Sequence, residues 1–180
     1  AGLIGLDATF DGKILGSSFP DNLTFATLQD INGKYGLRGD KKLVYKTAVM
    51  QSIEEYPLFP NEKLVPLSFK YLLTDQHFVL KTVNKILCLV EYQHDGSTKN
   101  MLKQYRRNPR GFSFSRISRI NLEPLFKDKF RHAVHLVSGV LFSGEWSTLW
   151  KTKFPLIVLL AIPGGVFLNF YIRLKTLNGV

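Results

Sequence analysis

Two acidic residues stand where a loop could orient a carboxylate toward a substrate. Glu62 lies in the proline-containing loop 56–63, just ahead of a helix predicted from Leu67 to Gln76. Asp40 ends a loop with glycines at positions 36 and 39. An oriented carboxylate can act as a general base. Each residue also has a plainer interpretation, because Glu62 could complement the dipole of the helix that follows and Gly-Asp pairs are common in ordinary turns.

A third acidic residue, Asp95, follows a predicted buried strand. The run from Ile86 to Val90 is continuously apolar, which favours a buried strand. A preceding strand is predicted from His77 to Val83, with a joint at Asn84 and Lys85. Open α/β sheets present polar groups to a ligand at the carboxyl ends of their strands, so Asp95 is a candidate for ligand binding.

A strongly basic segment comes next. Ser97 or Thr98 could cap a helix that runs to Arg107 and ends before Pro109. The segment has no acidic residue between positions 95 and 123. Its basic residues are Lys99, Lys103, Arg106, Arg107, Arg110, Arg116 and Arg119. We therefore predict that the segment attracts anions, since guanidinium groups pair well with phosphate oxygens.

The overall composition points to a globular protein with an anionic partner. A chain of 180 residues with 45% apolar residues predicts one well-buried domain. Its net charge of +10 implies nucleic acid, a phosphorylated ligand or an acidic membrane surface as partner. Cys88 is the only cysteine, which fits a core position on the reducing side of a membrane. The start at Ala1, without an initiator Met or a signal peptide, leads us to expect a chain cut from something longer.

The remaining secondary structure is predicted from turn signals and periodicity. Asp11-Gly12 is typical of a hairpin turn, and Thr24 to Ile31 of a short helix. A strand is predicted from Leu43 to Tyr45 and a helical turn from Ala48 to Ile53. Beyond residue 111 the apolar residues follow helical spacing as far as Leu141.

His132 and His135 lie one turn apart on the predicted helix beyond residue 111. Two histidines at this spacing could bind a metal only with further ligands, and the sequence does not identify any. A packing or surface role is therefore the favoured interpretation.

The tail from residue 154 to residue 172 contains no charged residue. Its length is near that of a bilayer-crossing helix, but Pro163-Gly164-Gly165 lies at its middle and should break or kink it. Basic residues flank both ends: Lys151, Lys153, Arg173 and Lys175. We predict a re-entrant or in-plane hairpin on the cytoplasmic leaflet, with Trp146, Trp150, Phe170 and Tyr171 at the interface. The alternative is a buried helical pair in a soluble core.

Three segments, in their order and spacing, resemble family 2 glycosyltransferases, bacterial enzymes that build surface polysaccharides. The segments are Gly39-Asp40-Lys41 with Leu43-Val44-Tyr45, the run from Phe59 to Pro66, and the run from Val90 to Gln93 continued by Asp95-Gly96, Asn100 and Asn108 to Phe112. The resemblance covers nearly the whole chain. It implies an α/β fold, with a partial GT-A-like nucleotide-sugar-transferase sheet followed by C-terminal helices. Residues 1–120 would be the acceptor-side part of the transferase domain, and residues 121–180 a helical, membrane-associating region.

The resemblance also implies roles for particular residues. Glu62 matches the acidic motif that supplies the general base, and Asp40 would line the same cleft. Gln104 and Arg107 echo a Q-x-x-R motif of processive synthases. The residues implied in substrate or diphosphate binding are Gln104, Arg106, Arg107 and Asp95.

Two features depart from the family pattern. The D-x-D carboxylates that hold a divalent cation, Mg or Mn, against the donor diphosphate are not in this chain, so the cation is expected only in the full-length enzyme. Leu67 stands where similar sequences often carry Glu, which puts one acceptor-side carboxylate in doubt.

The predicted function is transfer of a sugar from a nucleotide sugar to a polysaccharide or lipid-linked acceptor. We expect it at the cytoplasmic face of the bacterial cell membrane, on an anionic surface and without nucleic acid, and we expect the isolated fragment to be inactive. The alternative is a non-catalytic basic module that docks on anionic membrane or nucleic acid through residues 99–119.

Overall fold

The computed structural model describes residues 1–92, 96 and 100–177. The structure is mixed α/β, with 49% helix and 15% strand, which confirms the predicted α/β class. It consists of two compact units. The first contains Ala1–Glu55 and Lys70–Gln93, and the second contains Tyr56–Phe69 and His94–Val180.

The first unit contains a curled sheet of four strands. In chain order these are β1 (Gly2–Ala8), β2 (Phe25–Ala26), β3 (Lys41–Tyr45) and β4 (Leu80–Leu89). The spatial order is β2-β4-β1-β3, in which β1 runs parallel to β4 and antiparallel to β3. β1 therefore has a partner on each side, which explains why Ile4 and Leu6 are fully enclosed in the core of this unit.

Three short helices accompany the strands: α1 (Leu28–Asn32), α2 (Thr47–Ser52) and α3 (Ser68–Asp75). The Thr27 hydroxyl caps α1 by accepting from the Asp30 N–H at 3.0 Å. The helix predicted from Thr24 was wrong in its first residues, because Phe25 and Ala26 pair with β4 instead. The predicted strand and helical turn further on are confirmed as β3 and α2.

β4 corrects two predictions. It is one strand and not two, although its pairing with β1 shifts register between Thr82 and Ile86, around the predicted joint. Within this stretch the Asn84 side chain bonds both the N–H and the C=O of Phe19 at 2.8 Å. β4 is also not buried beyond Thr82, since Ile86, Leu87 and Leu89 are 40–48% exposed. Pairing with β2 ends at Lys81, and beyond this residue β4 pairs with β1 alone among the described strands.

The second unit is helical. Its helices are α4 (Met101–Arg107), α5 (Pro109–Leu122), α6 (Phe126–Ser143), a 3-10 helix (Trp146–Trp150), α7 (Pro155–Leu160) and α8 (Ile162–Lys175). α6 supplies half of the buried residues in the core cluster of this unit, among them Leu136, Val137 and Val140. α4 ends at Arg107 as predicted, whereas its predicted caps, Ser97 and Thr98, lie outside the described residues.

The apolar tail forms two helices, α7 and α8, that meet at Ala161. The predicted break falls before Pro163, because a proline near the first position of a helix needs no backbone N–H partner and is tolerated there. Within residues 1–92, 96 and 100–177, no helix has both the length and the apolar character needed to cross a membrane.

Close packing between α6 and α8 depends on one glycine. A Cβ on Gly165 would lie 2.4 Å from the Cβ of Val137, closer than any real contact. The neighbouring Gly164 has more room, since its nearest contact would be a methyl of Val134 at 3.2 Å.

We predict that Gly165→Ala lowers the free energy of unfolding by about 1–3 kcal/mol, the usual cost of overpacking. Gly164→Ala is the matched control and should be close to neutral. Alanine favours a helix by about 1 kcal/mol over glycine, and this gain offsets the tight contact of 3.2 Å with Val134. Urea unfolding followed by circular dichroism measures both. Equal stabilities of the two variants would contradict the packing argument.

Candidate functional site

The Glu62 carboxylate lies at the start of α5. Its Oε1 accepts from the N–H of Arg110 at 2.9 Å, and its Oε2 accepts from the N–H of Gly111 at 2.8 Å. These amides belong to the first turn of the helix, which has no intrahelical acceptor for them and carries the positive end of the dipole. Glu62 is therefore a carboxylate at a helix N-terminus, as the plainer interpretation of the sequence expected. The helix is α5, however, and not α3, the helix that follows Glu62 in the sequence. The role of Glu62 as a base stays a prediction.

Further contacts tie the same loop to the same helix. The buried Asn108 side chain accepts from the N–H of Lys63 at 2.8 Å through Oδ1 and donates to Gln104 Oε1 at 3.0 Å through Nδ2. A Cβ on Gly111 would lie 2.2 Å from the carbonyl oxygen of Leu64, so only glycine fits. We call the contacts of Glu62, Lys63 and Leu64 with Asn108, Arg110 and Gly111 the loop–helix junction.

Aromatic rings support the junction from α5. The ring of Phe114 lies 4.6 Å from that of Phe69 and 6.3 Å from that of Phe59, measured between centroids. A cavity of about 370 Å³ opens beside the loop and is lined by Tyr56, Pro57, Leu58, Phe59, Glu62, Lys63, Leu64 and Val65. Glu62 is therefore held in a fixed orientation at the wall of a cavity.

Asp40 lies in the first unit, exposed at the end of its loop, where it accepts a hydrogen bond from the Tyr92 hydroxyl. Nearby is Asp7 on β1, which the sequence analysis missed. Asp7 is only 6% exposed, and its Oδ1 has no hydrogen-bond partner among the described residues. Burial raises the pKa of Asp7, while the charge of Lys42 lowers it and that of Asp40 raises it further. An acidic residue inside the apolar run of β1 was the signal for this group.

The residues implied in diphosphate binding have different surroundings. Gln104 bonds Asn108 within the junction, and Arg106 donates to the carbonyl and hydroxyl oxygens of Thr176 at 3.2 and 3.1 Å. Arg107 is exposed at the end of α4. Asp95 lies outside the described residues.

A second group of basic residues forms a cleft of about 460 Å³ in the helical unit. We call it the arginine cleft and define it by Arg116, Arg119, Arg131, His132 and His135. Arg116 Nη1 lies 2.7 Å from Nδ1 of His132, which is 3% exposed. Burial lowers the pKa of His132 and, together with the charge of Arg116, lowers the pKa of His135 to about 3. Both imidazoles are therefore neutral at pH 7.

Among the residues that the structure describes, no three His, Cys, Asp or Glu side chains group so as to hold a metal ion. The divalent cation expected for the full-length enzyme, with ligands outside this chain, stays a prediction.

Comparison with known proteins gives no relative: no protein-family model, no curated protein and no solved structure matches this chain.

We predict that His135 makes stability depend on pH. Its pKa is about 3 in the folded state and about 6.5 when unfolded, so the unfolded chain binds more protons between these values. The free energy of unfolding should therefore fall as the pH decreases from about 6.5 toward 3. His135→Gln should flatten this decrease, as measured by urea unfolding at a series of pH values.

Stability at pH 8, where neither state is charged at this position, reports the packing effect of His135→Gln alone. An unchanged slope below pH 6.5 in the variant would show that His135 is not responsible.

Proposed function

We propose that this chain is the acceptor-side part of a membrane-associated family 2 glycosyltransferase, with its sheet belonging to a GT-A-like domain. The observation that carries the proposal is the loop–helix junction. Two of the three segments on which the resemblance depends, Phe59–Pro66 and Asn108–Phe112, contact each other there through backbone and side-chain hydrogen bonds. The first segment supplies Glu62 and the second supplies the amides that hold it, which gives a physical reason for both sequences to occur in one chain.

Glu62 would act as the general base of the transfer. It would remove the proton from the acceptor hydroxyl as that oxygen attacks the anomeric carbon of the sugar. The two amide bonds fix the orientation of the carboxylate, and an ionised carboxylate has further acceptor capacity for the hydroxyl. The cavity of about 370 Å³ beside Glu62 would receive the acceptor.

Other residues would serve the donor and the acceptor. Arg106 and Arg107 would neutralise diphosphate charge, with Gln104 and Asp95 as further binding groups. Asp40, which lies in the first unit, stays a prediction as a second catalytic carboxylate. Mg or Mn bound by ligands outside this chain would supply the remaining charge neutralisation at the donor.

The surface of α8 supports association with a membrane. One face of the helix is exposed and almost wholly apolar, consisting of Val166, Phe167, Phe170, Tyr171 and Leu174. The buried face includes Gly165, Asn169 and Ile172. Leu156, Leu159 and Leu160 extend the apolar surface along α7. A helix that buries an asparagine while exposing phenylalanines is suited to an apolar surrounding on its outer side.

The charges beside the tail support an anionic membrane surface as this surrounding. Lys151 and Lys153 precede α7, and Arg173 and Lys175 lie in the last turn of α8, all of them exposed. Each basic residue near an anionic leaflet contributes about 1 kcal/mol, and burial of an apolar side chain contributes about 1.5–3 kcal/mol. The two terms act together, so the tail would hold the enzyme at the cytoplasmic leaflet.

The first prediction of this proposal concerns catalysis. In the full-length protein, Glu62→Gln should reduce sugar transfer from a nucleotide-sugar donor by about two orders of magnitude or more, since it removes the base. Asn108→Ala is the control, because it breaks the junction at Lys63 without removing a carboxylate. It should lower thermal stability yet retain most turnover at a temperature where the protein stays folded.

Normal turnover of Glu62→Gln would show that Glu62 is not the base. Equal losses in both variants would assign Glu62 a structural role only. Absence of transfer with every nucleotide sugar, combined with tight vesicle binding, would favour the docking-module alternative.

The second prediction concerns the membrane. Phe167→Asp should reduce binding to vesicles of phosphatidylcholine and phosphatidylglycerol by about tenfold or more. It removes a ring that the membrane would bury, and it adds a negative charge that the anionic lipid repels. Phe10→Asp is the matched control, since Phe10 is 73% exposed and Phe167 is 72% exposed. Flotation on a density gradient measures both variants, and equal binding would contradict the assignment of α8 as the docking face.

A further inference from the structure

We propose that the arginine cleft binds a phosphate group. This inference concerns a different site from Glu62 and its cavity, and it does not depend on the proposed sugar transfer. It rests on the balance of charge around Arg116, on the way that Arg116 is held, and on the size and lining of the cleft.

The charges of the cleft are unbalanced at Arg116. Arg119 Nη1 is paired with Glu123 Oε1 at 3.0 Å, and Arg131 Nη2 is paired with Asp128 Oδ1 at 3.0 Å. In the part of the chain that the structure describes, Arg116 has no carboxylate partner within salt-bridge distance. A guanidinium withdrawn from water without an anion is costly, so this site is favourable for an anion from outside.

Neutral groups hold Arg116 in place. Its Nη1 lies 2.7 Å from His132 Nδ1, and its Nη2 donates to the Tyr105 hydroxyl at 3.4 Å. The Nε is enclosed and has no hydrogen-bond partner among the described residues. Burial is the main cause that lowers the pKa of Arg116, and the charges of Arg119 and Arg131 lower it further. The guanidinium is therefore oriented but its charge is not compensated.

The lining of the cleft favours phosphate over a single carboxylate. Three arginines converge on a volume of about 460 Å³, which is within the usual range for a small-molecule site. Arg131 is exposed at its rim, whereas His132 is buried at its wall. A guanidinium group can donate two parallel hydrogen bonds to two oxygens of a phosphate. A phosphate also carries enough negative charge to interact with more than one arginine.

Thermal unfolding of the full chain in mild detergent tests the proposal. Inorganic phosphate and pyrophosphate should raise the unfolding temperature above that in sodium chloride of equal ionic strength, because a ligand of the folded state stabilises it. Arg116→Gln should weaken phosphate binding by about tenfold or more, the usual effect of losing a charge-assisted hydrogen bond. Lys127→Gln, which removes one exposed positive charge from the same unit, should bind phosphate like the wild type.

Nuclear magnetic resonance of the wild type locates the site without a substitution. Phosphate should shift the ring resonances of His132 and His135 at concentrations that also raise the unfolding temperature. Stabilisation without these shifts, or the same stabilisation in a folded Arg116→Gln variant, would overturn the proposal. So would the absence of any stabilisation by phosphate or pyrophosphate relative to chloride.

A comparison of vesicles identifies the source of the phosphate. If the group belongs to a lipid, vesicles with phosphatidic acid should bind more tightly than vesicles with phosphatidylglycerol, and Arg116→Gln should abolish the difference. If the group belongs to a soluble ligand, pyrophosphate should stabilise the protein and the two vesicle types should bind alike. Failure of both arms would overturn the proposal and leave the role of Glu62 in transfer unaffected.

Discussion

The start of α5 depends on an acceptor supplied from far away in the sequence. Pro109 has no N–H, and the next two amides, on Arg110 and Gly111, need acceptors that the helix cannot provide. Asn108 precedes the helix, but its side chain is engaged with Lys63 and Gln104 and does not cap it. Glu62 satisfies both amides instead. One carboxylate therefore satisfies the first amides of α5 and, with the bond from Lys63 to Asn108, fixes the loop beside the helix. Gly111 allows the close approach that this requires.

α8 shows why a hydrophobic tail cannot be interpreted from composition alone. The helix lies close to α6 at Gly165, and Asn169 faces inward, where its Nδ2 donates to the carbonyl of Ser138 at 3.1 Å. Arg173 in turn donates to Asn169 Oδ1 at 2.8 Å. Gly165 and Asn169 occupy the packed face together with Ile172, whereas Phe167 and Phe170 are left on the exposed one. The sequence indicates an apolar segment, but the packing of α6 decides which residues it presents outward.

Local signals predicted local features well. The turn at Asp11-Gly12 is confirmed by the positive φ of 81° at Gly12, and the end of α4 follows from the proline after it. Predictions that depended on distant partners were less successful. β2 pairs with β4 only as far as Lys81, and the Asn84 side chain bonds the backbone of Phe19. Neither contact can be deduced from residues near position 84.

In the candidate site, too, the sequence identified single residues but not the distant partners that give them their surroundings. The sequence analysis identified Glu62 and considered that it could complement a helix dipole, but the helix concerned is α5, whose Arg110 lies 48 residues further along the chain. Arg116 was included only as one base in a run, because its lack of a carboxylate partner among the described residues depends on which residues of α5 and α6 pair. Asp7 was missed for a related reason, since its burial comes from strands on both sides of β1.

The two roles considered for Glu62 are linked by the proton itself. An ionised carboxylate accepts from both amides equally, whereas a protonated one has an oxygen that is a weaker acceptor. If Glu62 takes a proton from an acceptor hydroxyl, at least one of its bonds to Arg110 and Gly111 must weaken during that step. Proton transfer and the attachment of α5 to the loop would therefore be coupled through the same two hydrogen bonds.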